Sequence, residues 1–185
     1  MTDKEILDLF TEKANKEKAF NLLVTKYQQK IYYQIRRILI HHEDTNDVMQ
    51  NVFIKVWTSI ENFRQEAQLS TWLYRISYNE TMAFISKRKK ENTFSFEENE
   101  EAEKKNNSIK NTLKSDEDFD GDEIQLKLQT AIGLLPDKQK IVFTMRYYDE
   151  IKYEEMAEIL HTSVGALKAS YHHAVKKIEE YLKND

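Results

Sequence analysis

From Phe20 onward, Leu23, Tyr27, Ile31, Ile35 and Ile38 recur at spacings of three and four, the period of an amphipathic helix, which this pattern predicts to about Ile40. The polar stretch 41–47 follows, and its acids suit the start of a second helix, where unpaired amides and the helix dipole favour negative charge. Val48, Val52, Phe53, Val56, Trp57 and Ile60 then line one face. A third helix is expected from Leu69 or Ser70, with Trp72, Leu73, Ile76 and Ala83 at helical spacing and a basic end, Lys87, Arg88, Lys89 and Lys90, that complements the negative helix terminus. Phe53, Trp57 and Trp72 are read as core.

Towards the C-terminus, Leu126, Leu128, Ile132, Leu134 and Leu135 precede Pro136, where a helix must end. A new helix fits 138 to about 148, burying Ile141, Val142 and Met145. The remainder has the pattern of a helix-turn-helix, with Met156, Ala157 and Leu160 on the first helix and Leu167, Tyr171, Ala174 and Ile178 on the second. Ser163 is the expected N-cap of the second helix. Such turns commonly carry glycine where this chain has His161, and histidine tolerates the left-handed conformation better than most residues.

Composition narrows the fold. Three glycines and one proline in 185 residues are too few for a glycine-rich phosphate loop or for the tight turns of a sandwich or barrel. The chain has no cysteine, which excludes disulfides and thiolate chemistry and suits a reducing cytoplasm. No apolar run approaches the roughly 20 residues of a spanning helix, and the acidic N-terminus lacks a signal peptide's pattern. The expectation is a cytoplasmic protein with no direct membrane insertion.

A net charge of -4 argues at first against a nucleic-acid partner. Divided along the chain, however, residues 1–90 carry +4, residues 91–123 carry -8 and residues 124–185 are neutral. The middle stretch has few large apolar residues and no sustained helical period, so it reads as a flexible acidic linker. The fold class is therefore all-α: two small helical domains, 1–90 and 124–185, joined by that linker.

Phe63 lies in a polar loop, and Tyr74 and Tyr78 fall off the main apolar stripe. Beside Arg64, Arg75 and the basic run, these aromatics compose a single-strand site, where bases stack on rings and phosphates meet cations; the tyrosines fit equally well as residues rimming the core. In the second domain, Lys168, Lys176 and Lys177 occur between positions 164 and 177 with no acid. Free amides at a helix start, followed by uncompensated cations, suit a helix in the major groove. His41, His42, Glu43, Asp44 and Asp47 suggest a metal or acid–base cluster, but adjacent histidines on a helix point about 100° apart. No second cluster completes such a site. No catalytic residue, metal, cofactor or small-molecule substrate is read here.

The runs "AFNLLVTKYQQKIYYQIRRIL", "DVMQNVFIKVW" and "NFRQEAQLSTWLYRISYN" resemble the second domain of bacterial RNA polymerase sigma factors of the extracytoplasmic-function (ECF) class. The segment "LLPDKQKIVFTMRYYDEIKYEEMAEILHTSVGALKASYHHAVKKI" resembles their fourth domain. The resemblance implies a non-catalytic subunit that directs core RNA polymerase to promoter DNA and is held by an anti-sigma factor. It implies docking of Asp47, Gln50 and Asn51 on the β′ clamp helices, with the fourth domain at the β flap. Capture and melting of the −10 element fall to Phe63, Arg64, Tyr74, Arg75, Asn79, Lys87 and Arg88. Reading of the −35 element falls to Lys168, Ala169, Ser170, His172, His173 and Lys176. Many relatives carry arginines along this last helix where this chain has Ala169, Ser170 and two histidines, which leaves the promoter sequence open. The alternative is a free-standing helix-turn-helix regulator, which needs no single-strand site.

Overall fold

The computed structural model describes residues 1–92, 102–115 and 121–184, and these form helices joined by short connections. An N-terminal group comprises α1 (Asp3–Thr11), α2 (Lys16–Leu39), α3 (His42–Ser59) and α4 (Leu69–Asn92). After α5 (Ala102–Lys114), a C-terminal group comprises α6 (Glu123–Leu134), α7 (Asp137–Tyr147), α8 (Tyr153–Leu160) and α9 (Val164–Asn184).

Long α2 is the axis of the N-terminal group. Its stripe of Leu23, Tyr27, Ile31, Ile35 and Ile38 is fully inside, each aliphatic side chain contributing about 1.5–3 kcal/mol on burial. Val48, Val52, Val56, Ile60, Leu69 and Leu73 close the core from α3, the turn after it and α4. Phe53 and Trp72 pack against it, and Trp57 meets Phe20 edge-on at 5.0 Å. Ala83 departs from expectation and is exposed. It stands eleven residues, about three whole turns, from Trp72, itself only half-buried.

Helix α1 adds a layer that the expectations above do not include, although Ile6, Leu9 and Phe10 stand at helical spacing. Thr2 and Glu5 form a capping box, the Thr2 hydroxyl accepting from the Glu5 amide at 3.2 Å and the Glu5 carboxylate from the Thr2 amide at 2.7 Å, so two orphan donors are satisfied reciprocally. The helix inserts Ile6 into the core. Tyr27 donates to Asp3 at 2.8 Å and Lys26 pairs with the same carboxylate at 2.7 Å. Burial raises Asp3, but these two partners outweigh it and hold the carboxyl below its ordinary range.

In the C-terminal group, the Asp122 carboxylate caps α6 by accepting from the Gln125 amide at 2.8 Å. Leu135 and Pro136 turn the chain into α7, and α9 packs across α6, α7 and α8. Ala131, Ile132, Leu135, Phe143, Ala174 and Ile178 form one core cluster. Helix α8 ends on His161 at φ 50°, ψ 45°, the left-handed turn expected of it, and Ser163 then caps α9 by accepting from the Ala166 amide at 3.3 Å.

The two groups are not beads on a string. Ile38 of α2 and Tyr78 of α4 share a buried cluster with Ile141, Val142 and Met145 of α7, Ile151, Met156 and Ile159 around α8, and Leu167 of α9. The acidic stretch also differs from the structureless linker expected, because 102–114 is helix α5, with Ile109 and Leu113 one turn apart and buried against Leu126, Leu134 and Ile40. Two apolar residues are too few to print a period, and tertiary contact supplies what local pattern lacks. The linker's other residues, 93–101 and 116–120, lie outside the described residues. At this junction Ile40 ends α2 at φ 69°, a conformation that is a genuine outlier for a β-branched residue. Gly133 approaches it so closely that a Cβ there would stand 2.6 Å from Ile40 Cδ1.

Candidate nucleic-acid interface

Helix α9 is amphipathic in a way that sorts its residues cleanly. Leu167, Ala174 and Ile178 are buried, and Tyr171 stacks on Phe143 with ring centroids 5.8 Å apart. Lys168, Ala169, His172, His173 and Lys176 stand exposed on the opposite stripe, whereas Ser170 is half-buried at its edge. The spacing of one, four and five residues makes this a continuous face. Two residues that sequence reasoning passed over flank it. The Tyr153 ring is approached by two cations, Arg146 at 5.4 Å and Lys168 at 5.7 Å. Only the helix-start position of Tyr153 could have signalled this contact, which joins three different elements.

On the N-terminal group, a turn at Ile60–Asn62 leads to Phe63. Phe63 is half-buried rather than free, its ring 5.1 Å from that of Trp72. Arg64 is exposed, and Gln65 adopts φ 56° as the loop turns towards α4. Asn79 is exposed two turns beyond Trp72 on α4, about 10 Å along the axis.

The other expected α4 residues point elsewhere. Arg75 pairs with Glu158 of α8. Tyr74 is half-buried in a cleft shared with Arg37, Tyr148 and Asp149. Tyr78 is 0% exposed and donates to Asp149 Oδ2 at 2.6 Å, so it is no exposed stacking platform: the C-terminal group covers it. Burial pushes the Tyr78 phenol well up, Asp149 adding to the effect, and burial likewise raises Asp149 against the Tyr78 hydrogen bond and the nearby Arg37 charge. Of the basic end, Lys87 is exposed with a loose 3.9 Å contact to Glu91, Arg88 pairs with Asp44, and Lys89 pairs with Asp137 at 2.8 Å.

A third surface lies on α3, where Asp47, Gln50 and Asn51 are exposed opposite the buried valines. Ile54 continues that face and is 57% exposed. An apolar residue three and four positions beyond Asn51 and Gln50, on an otherwise polar face, was its legible signal. Among the described residues, no three His, Cys, Asp or Glu are placed to hold a metal ion, and no helix is long and apolar enough to cross a membrane.

Residues 23–91 match the family described as Sigma-70 region 2, and residues 125–178 match Sigma-70, region 4. Over 181 residues, 97% of this chain and 94% of the relative, the sequence is 30% identical to the ECF RNA polymerase sigma-E factor of Haemophilus influenzae. The chain belongs to the ECF sigma factors. It is 29% identical to the ECF sigma factor SigW of Bacillus subtilis over 93% of each chain. Among solved structures, its fold is similar to the sigma factor RpoE in complex with the anti-sigma factor NepR from Bartonella quintana, at a TM-score of 0.70 and 20% identity over 91% of this chain and 99% of that one. It is also similar to CnrH in complex with the cytosolic domain of CnrY, at 0.64 and 18% identity over 99% and 98%. As an alternative sigma factor, the chain serves promoter-specific transcription. Region 2 of this sigma factor spans most of α2 with α3 and α4, region 4 covers α6 to most of α9, and α5 falls between them.

Proposed function

We propose that this sigma factor docks α3 on the β′ clamp helices of core RNA polymerase through Asp47, Gln50, Asn51 and Ile54. In this reading, region 4 sits at the β flap with the exposed stripe of α9 in the major groove of the −35 element. Phe63, Arg64 and Asn79 capture an unstacked base of the −10 element. Extruding a base costs a few kcal/mol, and stacking returns about 1–3 kcal/mol per base, so an aromatic and an amide near a cation can drive melting without ATP. Lys87 and Arg88 hold neighbouring phosphates, and an anti-sigma factor occupies the free protein. The factor itself catalyses nothing and works in the cytoplasm.

The observation that carries this reading is one chain combining a capped α9, acid-free over 164–177 and with an exposed basic stripe, with a separate loop bearing half-buried Phe63 and exposed Arg64 and a helix bearing exposed Asn79. Reconstitution with core polymerase on genomic DNA, with transcript starts mapped, tests it. Starts that appear only with this chain are expected. On a promoter so mapped, Phe63→Ala and Asn79→Ala lower open-complex formation by about five- to 150-fold, the scale of one lost stacking or base-edge contact of about 1–3 kcal/mol, while affinity for core polymerase stays unchanged. Transcript starts independent of the chain would refute the proposal. Parent-like opening by both variants would remove the assigned base-capture role of Phe63 and Asn79. Binding to duplex without polymerase would instead favour a free-standing regulator.

A further inference from the structure

The exposed stripe of α9 has a crest and two edges. Leu167, Tyr171, Ala174 and Ile178 pack on the core side, and at about 100° per residue Ala169 and Lys176 fall opposite them. Adjacent His172 and His173 then lean to either side of that crest, their ring centroids 6.0 Å apart. Lys168 lies one turn before His172 on one edge, and Lys177 one turn after His173 on the other, so each edge carries one lysine and one imidazole. A helix lying in the major groove turns its crest to the base edges and its flanks to the two phosphate backbones that wall the groove.

We propose that His172 and His173 are titratable phosphate contacts, so that this sigma factor's hold on duplex promoter DNA tightens as pH falls through the imidazole range. This rests on the reading of α9 as the −35 helix. A histidine side chain gains its charge as pH falls through about 6.5, and in the charged form both ring nitrogens donate. Both rings are exposed, and neither has a hydrogen bond or ion pair to the described residues. The charge around them is one-sided. On α9, Lys168, Lys176 and Lys177 stand one turn away, and the first acids, Glu179 and Glu180, two turns on. Of the helices packed on α9, α7 and α8 bring Arg146 and Tyr153 to the Lys168 end, and α5 brings Lys110 to Tyr181. The charges of α6, Glu123 and Lys127, pair with each other at 3.6 Å. From α8, Glu154 and Glu155 make no ion pair with either ring, and Glu158 is taken by Arg75. Among the described residues, therefore, no carboxylate stands in for a phosphate, and each proton gained adds to the counterion release that drives DNA binding.

The test compares holoenzyme carrying the parent chain with holoenzyme carrying two double variants. His172→Gln with His173→Gln keeps hydrogen-bonding side chains without charge, and His172→Lys with His173→Lys is charged throughout. Both positions are exposed, so neither change removes packing. Binding to a mapped duplex promoter is measured at pH 6.0 and 7.5 over a salt series. The glutamine variant retains core polymerase, His41, His42 and His161, so their titration is subtracted. Relative to it, the parent is expected to bind about two- to twentyfold tighter at pH 6.0 than at 7.5, the range for two exposed ion contacts. Its salt slope is expected to steepen by about 1–2, since each added phosphate contact contributes about 0.9, while the lysine variant keeps the steep slope at both pH values. A parent whose pH ratio and salt slopes equal those of the glutamine variant overturns the proposal and leaves α9 on the −35 element. Tightening at an unchanged salt slope takes the imidazoles off the phosphates and overturns it too. Binding that ignores the −35 sequence and is unmoved by Lys168→Ala at either pH overturns the reading of α9, and the proposal with it.

Discussion

Lys140 lies on the inner side of α7 with 7% of its surface exposed and its ammonium 4.0 Å from Asp137. Burial pulls the group down to about 8, Asp137 only partly opposing it. An unfolded lysine holds its proton to about 10.4, so between these values the unfolded chain binds more protons than the folded one. Stability from this group therefore falls as pH drops from 10 to 8 and is level below. Lys140→Met, which keeps the length and removes the charge, is expected to stabilise the protein by about 1–3 kcal/mol at pH 7, with the gain shrinking as pH is raised to 10. Thermal melts across that range check it. Single residues were also where sequence reasoning was least secure. Phe63 stands in a polar loop and Tyr78 off the apolar stripe, yet Tyr78 is covered by α7 and α8 and Phe63 rests on Trp72. Periodicity reports a residue's own helix and is blind to a partner arriving from elsewhere in the chain.

At the scale of elements, the turn before α9 decides how the helix proposed to read the −35 element is presented. His161 holds the left-handed conformation, its amide and that of Thr162 both donating to the Ala157 carbonyl, the latter at 3.2 Å. Glycine adopts this conformation freely and a β-branched residue resists it. His161→Val is expected to cost about 1–2 kcal/mol, while His161→Gly stays within about 0.5 kcal/mol of the parent because relieved strain offsets added unfolded-state entropy. Denaturant melts of the two variants measure the difference, and equal stabilities would contradict the assigned turn. The long helices were legible because each buries at least three apolar residues at helical spacing. Helix α1 signalled itself through its capping box, Thr2 and Glu5, and through Ile6, Leu9 and Phe10 at spacings of three and four. Helix α5 had no such mark, since Ile109 and Leu113 gain meaning only against Ile40, Leu126 and Leu134.

Over the whole molecule, the sequence divides by charge and the structure reunites by packing. The partition into +4, -8 and neutral stretches sets the proposed DNA-contacting regions apart from the acidic stretch between them, and residues 23–91 and 125–178 match Sigma-70 region 2 and region 4. It did not foretell that Ile38 and Tyr78 would lie in a core built mainly from α7, α8 and α9. Contacts between residues over sixty positions apart leave no local trace, whereas helices and their turns are written in neighbours.

Helix α5 turns this arrangement into something a protease can read. Trypsin needs locally unfolded backbone around its cleavage site, which a docked helix denies it. Lys104, Lys105 and Lys114 are exposed at their side chains, yet their backbone is held while Ile109 and Leu113 stay seated on α6 and Ile40. Limited trypsinolysis of the free factor is expected to spare 104–114 and to cut there quickly once Leu113→Asp unseats the helix. The rate of cleavage at those lysines then becomes a clock for how often the strap between the two regions lets go.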